Sequence, residues 1–196
     1  MARGSPRGGG DDTAPGHVKL SDRQRLCWLR LIRSENVGSV TFRALVNQFG
    51  GAEAALEALP ILSRRGGAHA IRVYPLADAE AELEATRRAG AELVAMGELG
   101  YPPALAQTDA PPPLLFVKGV LDLADRPMVA IVGARNGSAI GQKFTRQIAT
   151  ELGLEGFVIA SGLARGIDTA AHIAALDRGT AAVLAGGIDI VYPTGE

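Results

Sequence analysis

Three short apolar runs in the second half of this 196-residue chain each end in a glycine-rich turn, and two of those turns carry an arginine. The first run, Met128-Val-Ala-Ile-Val, leads into Gly133-Ala-Arg135-Asn-Gly137-Ser138-Ala-Ile-Gly141. The second, Val158-Ile-Ala-Ser161, leads into Gly162-Leu-Ala-Arg165-Gly166, and the third, Ala182-Val-Leu-Ala, into Gly186-Gly187-Ile-Asp189. Glycine lets main chain approach a ligand closely, and amide N–H groups in such turns suit phosphate. A guanidinium can bridge two phosphate oxygens with parallel hydrogen bonds. Arg135 and Arg165, in equivalent turns, are therefore the leading candidates for contact with a phosphate ligand.

Other ligands of glycine-rich turns fit less well. A dinucleotide site needs G-x-G-x-x-G and an acidic residue about 20 positions later. Here the glycines fall at 133, 137 and 141, and the next strand ends in Ser161-Gly162, which disfavours NAD. A nucleoside triphosphate loop needs G-x-x-x-x-G-K-[ST], whereas Gly141-Gln142-Lys143-Phe144 has the wrong gap and no hydroxyl after the lysine. Ser161, Asp168 and His172 are the residue types of a hydrolase triad, but Ala160-Ser161-Gly162 lacks the G-x-S-x-G elbow. Asp168 reads instead as a cap for the helix it begins, with His172 packing or pairing on the same face. No His, Asp or Glu cluster has metal spacing, and no cofactor is expected. Ser138 is placed to cap the next helix, bond a phosphate, or do both.

These turns need a scaffold, and the intervening residues supply one. Strand 128–132, helix 139–153, strand 157–160, helix 168–178 and strand 181–185 alternate with short connections. Such alternation implies right-handed crossovers and a Rossmann-like parallel sheet with helices on both faces, its ligands at the carboxyl ends of the strands. Ile140, Phe144, Ile148 and Leu152 recur every fourth residue and are expected to bury against the sheet. Ala170, Ala171, Ala174 and Ala175 permit a close approach of the following helix.

The first half is organised differently. Residues 1–17 are glycine-rich with little to bury and read as a disordered tail. Residues 18–75 read as a small all-α domain, of helix-hairpin-helix or SAM-like type. A helix over 22–33 follows the cap residue Ser21, and a turn at Gly38 precedes a helix with Phe42, Leu45 and Phe49 on one face. That segment is either the second half of a helix-hairpin-helix unit, which can grip nucleic-acid backbone, or a plain bundle that turns at Gly38. Asn36 occupies the place of the unit's usual first glycine. A further helix, Glu53 to Leu59, is expected to stop at Pro60, and Arg64-Arg65-Gly66-Gly67 to form a loop. The domain with the sheet is expected over 76–196, beginning with helix 79–89 and strands near 92–96 and 114–118.

Composition agrees with a globular chain: 47% of residues are hydrophobic and the formal net charge is −1. The charge is uneven, with 11 Lys/Arg against 6 Asp/Glu in residues 1–76. A single cysteine, Cys27, excludes a disulfide framework, favours a reducing cytoplasm, and reads as a core thiol beside Trp28. No apolar stretch approaches membrane-spanning length. Aromatic residues are only 5% of the chain, which favours gripping a nucleic-acid backbone over reading its bases.

Together the motifs resemble the DNA-processing protein A family (DprA/Smf). The resemblance is carried by Val129 to Ser138, by Ser161-Gly-Leu-Ala-Arg-Gly-Ile-Asp-Thr-Ala-Ala-His172, by Ala185-Gly-Gly-Ile-Asp189 and by Tyr192-Pro193. Upstream, Trp28-Leu-Arg-Leu, Val37-Gly38, Phe49-Gly50, Tyr101-Pro102 and Ala110 to Gly119 fall in the family's order. The resemblance implies sequence-nonspecific binding of single-stranded DNA without catalysis, in natural transformation: holding and protecting incoming strands and helping to load the RecA recombinase. It implies a first phosphate-binding turn of Gly133, Arg135 and Ser138, and a second of Ser161, Gly162, Arg165 and Gly166. Gly186 and Gly187 would line a third. Where the family has an aromatic before the second-turn glycine, this chain has Ile140. The family's domain continues past the position of Glu196, so the chain reads as truncated or partial, with any homodimer surface in the part beyond. The alternative is a Rossmann-like enzyme acting on a nucleotide or phosphoribosyl compound.

Overall fold

The computed structural model describes residues 19–65 and 71–189. Helix α1 (Asp22–Arg33) starts at Ser21, whose side chain accepts the Gln24 amide while the Gln24 side chain accepts the Ser21 amide, a complete capping box. Helix α2 (Ser39–Phe49) buries Phe42 and Leu45 and ends at Gly50, whose φ of 77° suits a residue without Cβ. Helix α3 (Ala52–Arg65) does not stop at Pro60 as expected but runs five residues past it. A proline inside a helix costs about 3 kcal/mol. Burial of Ala55, Leu56 and Leu59 on one stripe, with Leu62 packed against the same core, outweighs that cost. Arg64 and Arg65 therefore belong to the helix rather than a loop, and Gly66 and Gly67 lie outside the described residues.

These three helices close around Leu31, Val37, Phe42, Leu45 and Leu56, with Trp28 meeting Phe42 edge-on at 5.1 Å between ring centroids. Cys27, expected in that core, is half-buried beside it. Leu29, on the opposite side of α1, anchors a second core with Ala79 and Leu93. Those partners come from helix α4 (Leu76–Arg88) and strand β1 (Glu92–Ala95), and strand β2 (Leu114–Val117) adds Leu114 and Phe116. A one-turn helix, α5 (Pro103–Ala106), lies between the two strands. β1 and β2 pair antiparallel with each other, so residues 76–117 pack as an extension of the helical domain. The polar clasp of this extension is Arg25, paired with Glu98 at 2.7 Å.

A turn of 3₁₀ helix (Leu121–Asp125) leads to the parallel sheet. Arg126 fixes this junction by donating to the carbonyls of Arg178 and Gly156, each at 2.8 Å. The sheet is β3 (Met128–Ala130), β4 (Val158–Ser161) and β5 (Thr180–Ala182), in the order β3-β4-β5 and parallel throughout. The crossovers are α6 (Ala139–Leu154) and α7 (Ile167–Ala175). Helices on both faces were expected; these two pack on each other and share the face presented by Ile159.

The expected stripe on α6 is corrected at its amino end, while Leu152 packs against the core at Ile159 as expected. Ile140 and Phe144 are exposed, at 83% and 63%, and the buried positions are Thr145, Ala149 and Gly153. Small residues win because α6 lies tightly against α7, whose Ala170, Ala171 and Ala175 are buried as expected, and large side chains could not enter that seam. At Gly153 an added Cβ would stand 2.8 Å from Arg178 Cδ.

Candidate nucleic-acid interface

The turn after β3 and the turn after β4 meet face to face. Ile167, the first residue of α7, fills the first turn so closely that a Cβ on Gly133 would stand 2.7 Å from Ile167 Cγ1, and one on Gly137 2.8 Å from its Cδ1. The Ile167 amide donates to the Ala134 carbonyl at 3.3 Å. From the other side Gly166 presses on the main chain of Ala134 and Arg135. These three glycines thus serve first to let two turns interlock.

Some of the amides in these turns are already taken. Asp168 Oδ2 accepts the N–H groups of Gly162 at 3.2 Å and Ala164 at 3.3 Å. Asp168 therefore ties down the second turn; it does not cap α7, whose N-cap is Gly166. A carboxylate buried beside two N–H donors satisfies them more strongly than a neutral acceptor would. Ser138 caps α6 as expected, accepting the Gly141 amide at 3.1 Å. Ser161 is buried, and its hydroxyl donates to the Ile131 carbonyl at 2.6 Å.

Behind the turns lies a second polar contact. His172 Nδ1 stands 2.7 Å from Thr180 Oγ1, which donates to the Ile159 carbonyl at 2.7 Å. Since the hydroxyl hydrogen is committed there, Nδ1 carries the hydrogen of the His172 contact. Burial pushes the His172 pKa down, against the opposing charge of Asp168. Asp168 Oδ1 and His172 Nε2 are buried without a hydrogen-bond partner among the described residues. Ser161, Asp168 and His172 thus hold the fold of strand and turn, each through a different partner.

In front of the turns is a groove with a volume of about 410 Å³. The first turn contributes Arg135, Asn136 and Gly137; α6 contributes Gln142 and Arg146; and the α7 side contributes Gly166, Thr169, Ala170 and Ile173. Of the residues expected at the phosphate site, Arg135 and Gly166 line it. Gly133, Ser138, Ser161 and Gly162 do not line it; they serve the contacts just described. Arg165, Gly186 and Gly187 are exposed outside it. Gln142, Arg146 and Thr169 were not singled out from the sequence. The one available signal was the four-residue spacing of Gln142 and Arg146, which puts them on one helix face, but spacing alone does not say which neighbour that face meets.

A helical domain ahead of parallel strands whose carboxyl ends carry interlocked glycine turns defines a Rossmann-like α/β protein. Comparison with known families narrows this class: the model described as DNA recombination-mediator protein A matches residues 92–196, and that of the DprA-like N-terminal HHH domain matches residues 22–85. The chain belongs to the DNA recombination-mediator protein A (DprA) family. It is similar to the DNA processing protein DprA of Streptococcus pneumoniae, 50% identical over 95 residues, 47% of this chain and 33% of that protein. It is also similar to the protein Smf of Synechocystis, 31% identical over 187 residues, 89% of this chain and 47% of that protein. The X-ray structure of the S. pneumoniae protein superposes with a TM-score of 0.51 at 39% identity, covering 61% of this chain and 44% of that one. The chain thus spans a third to about half the length of these two relatives. Among the described residues no helix is long and apolar enough to cross a membrane, and no His, Cys, Asp and Glu group could hold a metal ion.

Proposed function

We propose that this chain binds single-stranded DNA through its phosphates, without reading sequence and without catalysis, as part of a cytoplasmic protein that processes DNA during natural transformation. The observation that carries the reading is the groove itself. Arg135 lines it beside two interlocked glycine turns, and its guanidinium pairs with no carboxylate among the described residues. A cation left without a partner at a concave surface is free to take a phosphate. Membership in the DprA family makes DNA the fitting source of that phosphate. Arg165, on the exposed second turn, is a further contact in this reading, whereas Gly186 and Gly187 stand exposed outside the groove and are assigned no contact. Protection of incoming strands, loading of the RecA recombinase and homodimer formation belong to the same proposal for the whole protein.

The test is titration of a fluorescent oligothymidine with the chain and with Arg135→Ala at several salt concentrations. Log affinity for single strands falls with log salt by about 0.7 per phosphate contacted, so the variant is expected to flatten the slope by about that amount on every sequence tried. An unchanged slope would remove Arg135 from the interface. Thermal stabilisation by a mononucleotide but not by the oligonucleotide would turn the reading toward an enzyme on nucleotides.

A further inference from the structure

We infer that Arg146 is a second phosphate contact and that the DNA strand leaves the first turn along the seam between α6 and α7, not across the strand tops toward Gly186 and Gly187. The inference rests on the single-strand binding proposed above and assigns a path to it.

Three observations carry it. First, the groove is lined by Arg135 of the first turn and by residues of both helices. Gln142 and Arg146 share one face of α6 by their four-residue spacing, and Thr169 and Ile173 share one face of α7 in the same way, so the lining follows both helices over about a turn. Second, Arg146 is exposed and makes no ion pair with any described carboxylate, so its charge is uncompensated like that of Arg135. Third, four amides of these turns are already bonded: Gly162 and Ala164 to Asp168, Ile167 to Ala134, and Gly141 to Ser138. The side-chain cations that line the groove are Arg135 and Arg146.

The chemistry of the groove matches a nucleotide strand better than a compact anion. Gly137 and Ala170 bring little side chain to its lining, Asn136 and Gln142 bring side-chain amides and Thr169 a hydroxyl, and Ile173 brings an exposed aliphatic side chain. Phosphates at the two arginines would leave sugar or base against Ile173.

The experiment uses the chain as it stands, with oligothymidine as the probe. Arg146→Ala is expected to weaken binding several-fold near 0.1 M salt and to flatten the salt slope by about 0.7, as Arg135→Ala does. Arg146→Lys keeps the charge and is expected to restore the slope. Ile173→Glu places a negative charge on the proposed path, and Ala185→Glu places one on the alternative path beside Gly186. The first is expected to weaken binding and the second to leave it within twofold. A normal slope for Arg146→Ala beside a flattened one for Arg135→Ala overturns the path and leaves the binding proposal intact, as does loss of binding in Ala185→Glu alone. Failure of the unaltered chain to bind the oligonucleotide overturns both. Thermal unfolding of each variant within a degree or two of the parent separates these outcomes from misfolding; a variant that fails this check is replaced by Arg146→Gln or Ile173→Asp.

Discussion

Gly166 stands directly against the carbonyl of Ala134, so close that a Cβ on Gly166 would lie under 3.0 Å from that oxygen. Its backbone, at φ 86° and ψ −118°, also lies where side chains other than glycine's hydrogen are strained. Both effects act at the point where the two turns interlock and where α7 begins. Gly166→Ala is therefore expected to cost 3 kcal/mol or more, on the order of the backbone strain plus the overlap. Urea unfolding measures it. A loss under about 1 kcal/mol would mean that the turns separate easily, and the groove in front of them would lose its rigid floor.

His172 gives the sheet domain a pH dependence with a defined sign. Its imidazole is buried, and burial holds its pKa below the ordinary value of about 6.5. The unfolded chain therefore binds this proton more readily than the folded one, and stability present above about pH 6.5 is lost as the pH falls. One proton limits the slope to about 1.4 kcal/mol per pH unit. Thermal unfolding between pH 7.5 and 5.5 is expected to show a falling midpoint, and His172→Gln to be flatter over that range. Parallel curves for the two proteins would assign the acid sensitivity elsewhere.

What was legible in the sequence follows from how far each signal reaches. Apolar runs ending in glycine placed β3, β4 and the turns after them, and Ser21 and Ser138 placed two helix starts, because strands and caps are local events. The face of α6 was misread because Ile140 and Phe144 follow helical periodicity without saying which stripe meets a neighbour; the seam is set by the alanines of α7, which lie some thirty residues away. Pro60 was misread because its local cost is real but smaller than the burial of the surrounding leucines. At the groove, Arg135 was found from its glycine setting. Arg146 carries no such mark, since only the packing of α6 on α7 brings it to the same groove. Asp168 shows a third limit: the residue was noticed, but its partners Gly162 and Ala164 precede the helix it was expected to cap.

Glu98 holds the helical domain to its hairpin. Its carboxylate pairs with Arg25 and accepts the amides of Leu20 at 2.9 Å and Ala95 at 2.8 Å, and its side chain is only 9% exposed. Arg25 in turn donates to the Leu93 carbonyl. Burial alone would raise the Glu98 pKa, but the hydrogen bonds from Arg25, Ala95 and Leu20 together outweigh it and hold the pKa below the usual carboxylate range. A depressed carboxyl contributes stability above its unfolded pKa and loses it as pH falls through the folded value. Glu98→Ala also leaves Arg25 and two amides without their acceptor. It is expected to cost about 2 to 3 kcal/mol at pH 7, between the values typical of exposed and of buried pairs. As the pH falls through the depressed folded pKa, below the ordinary glutamate range, the parent carboxyl takes up a proton, so the difference should narrow there. Urea unfolding at pH 7 and at the lowest pH where both proteins remain folded measures both numbers. A gap equally wide at the two pH values would assign the loss to packing, and the charge on Glu98 would then hold nothing together.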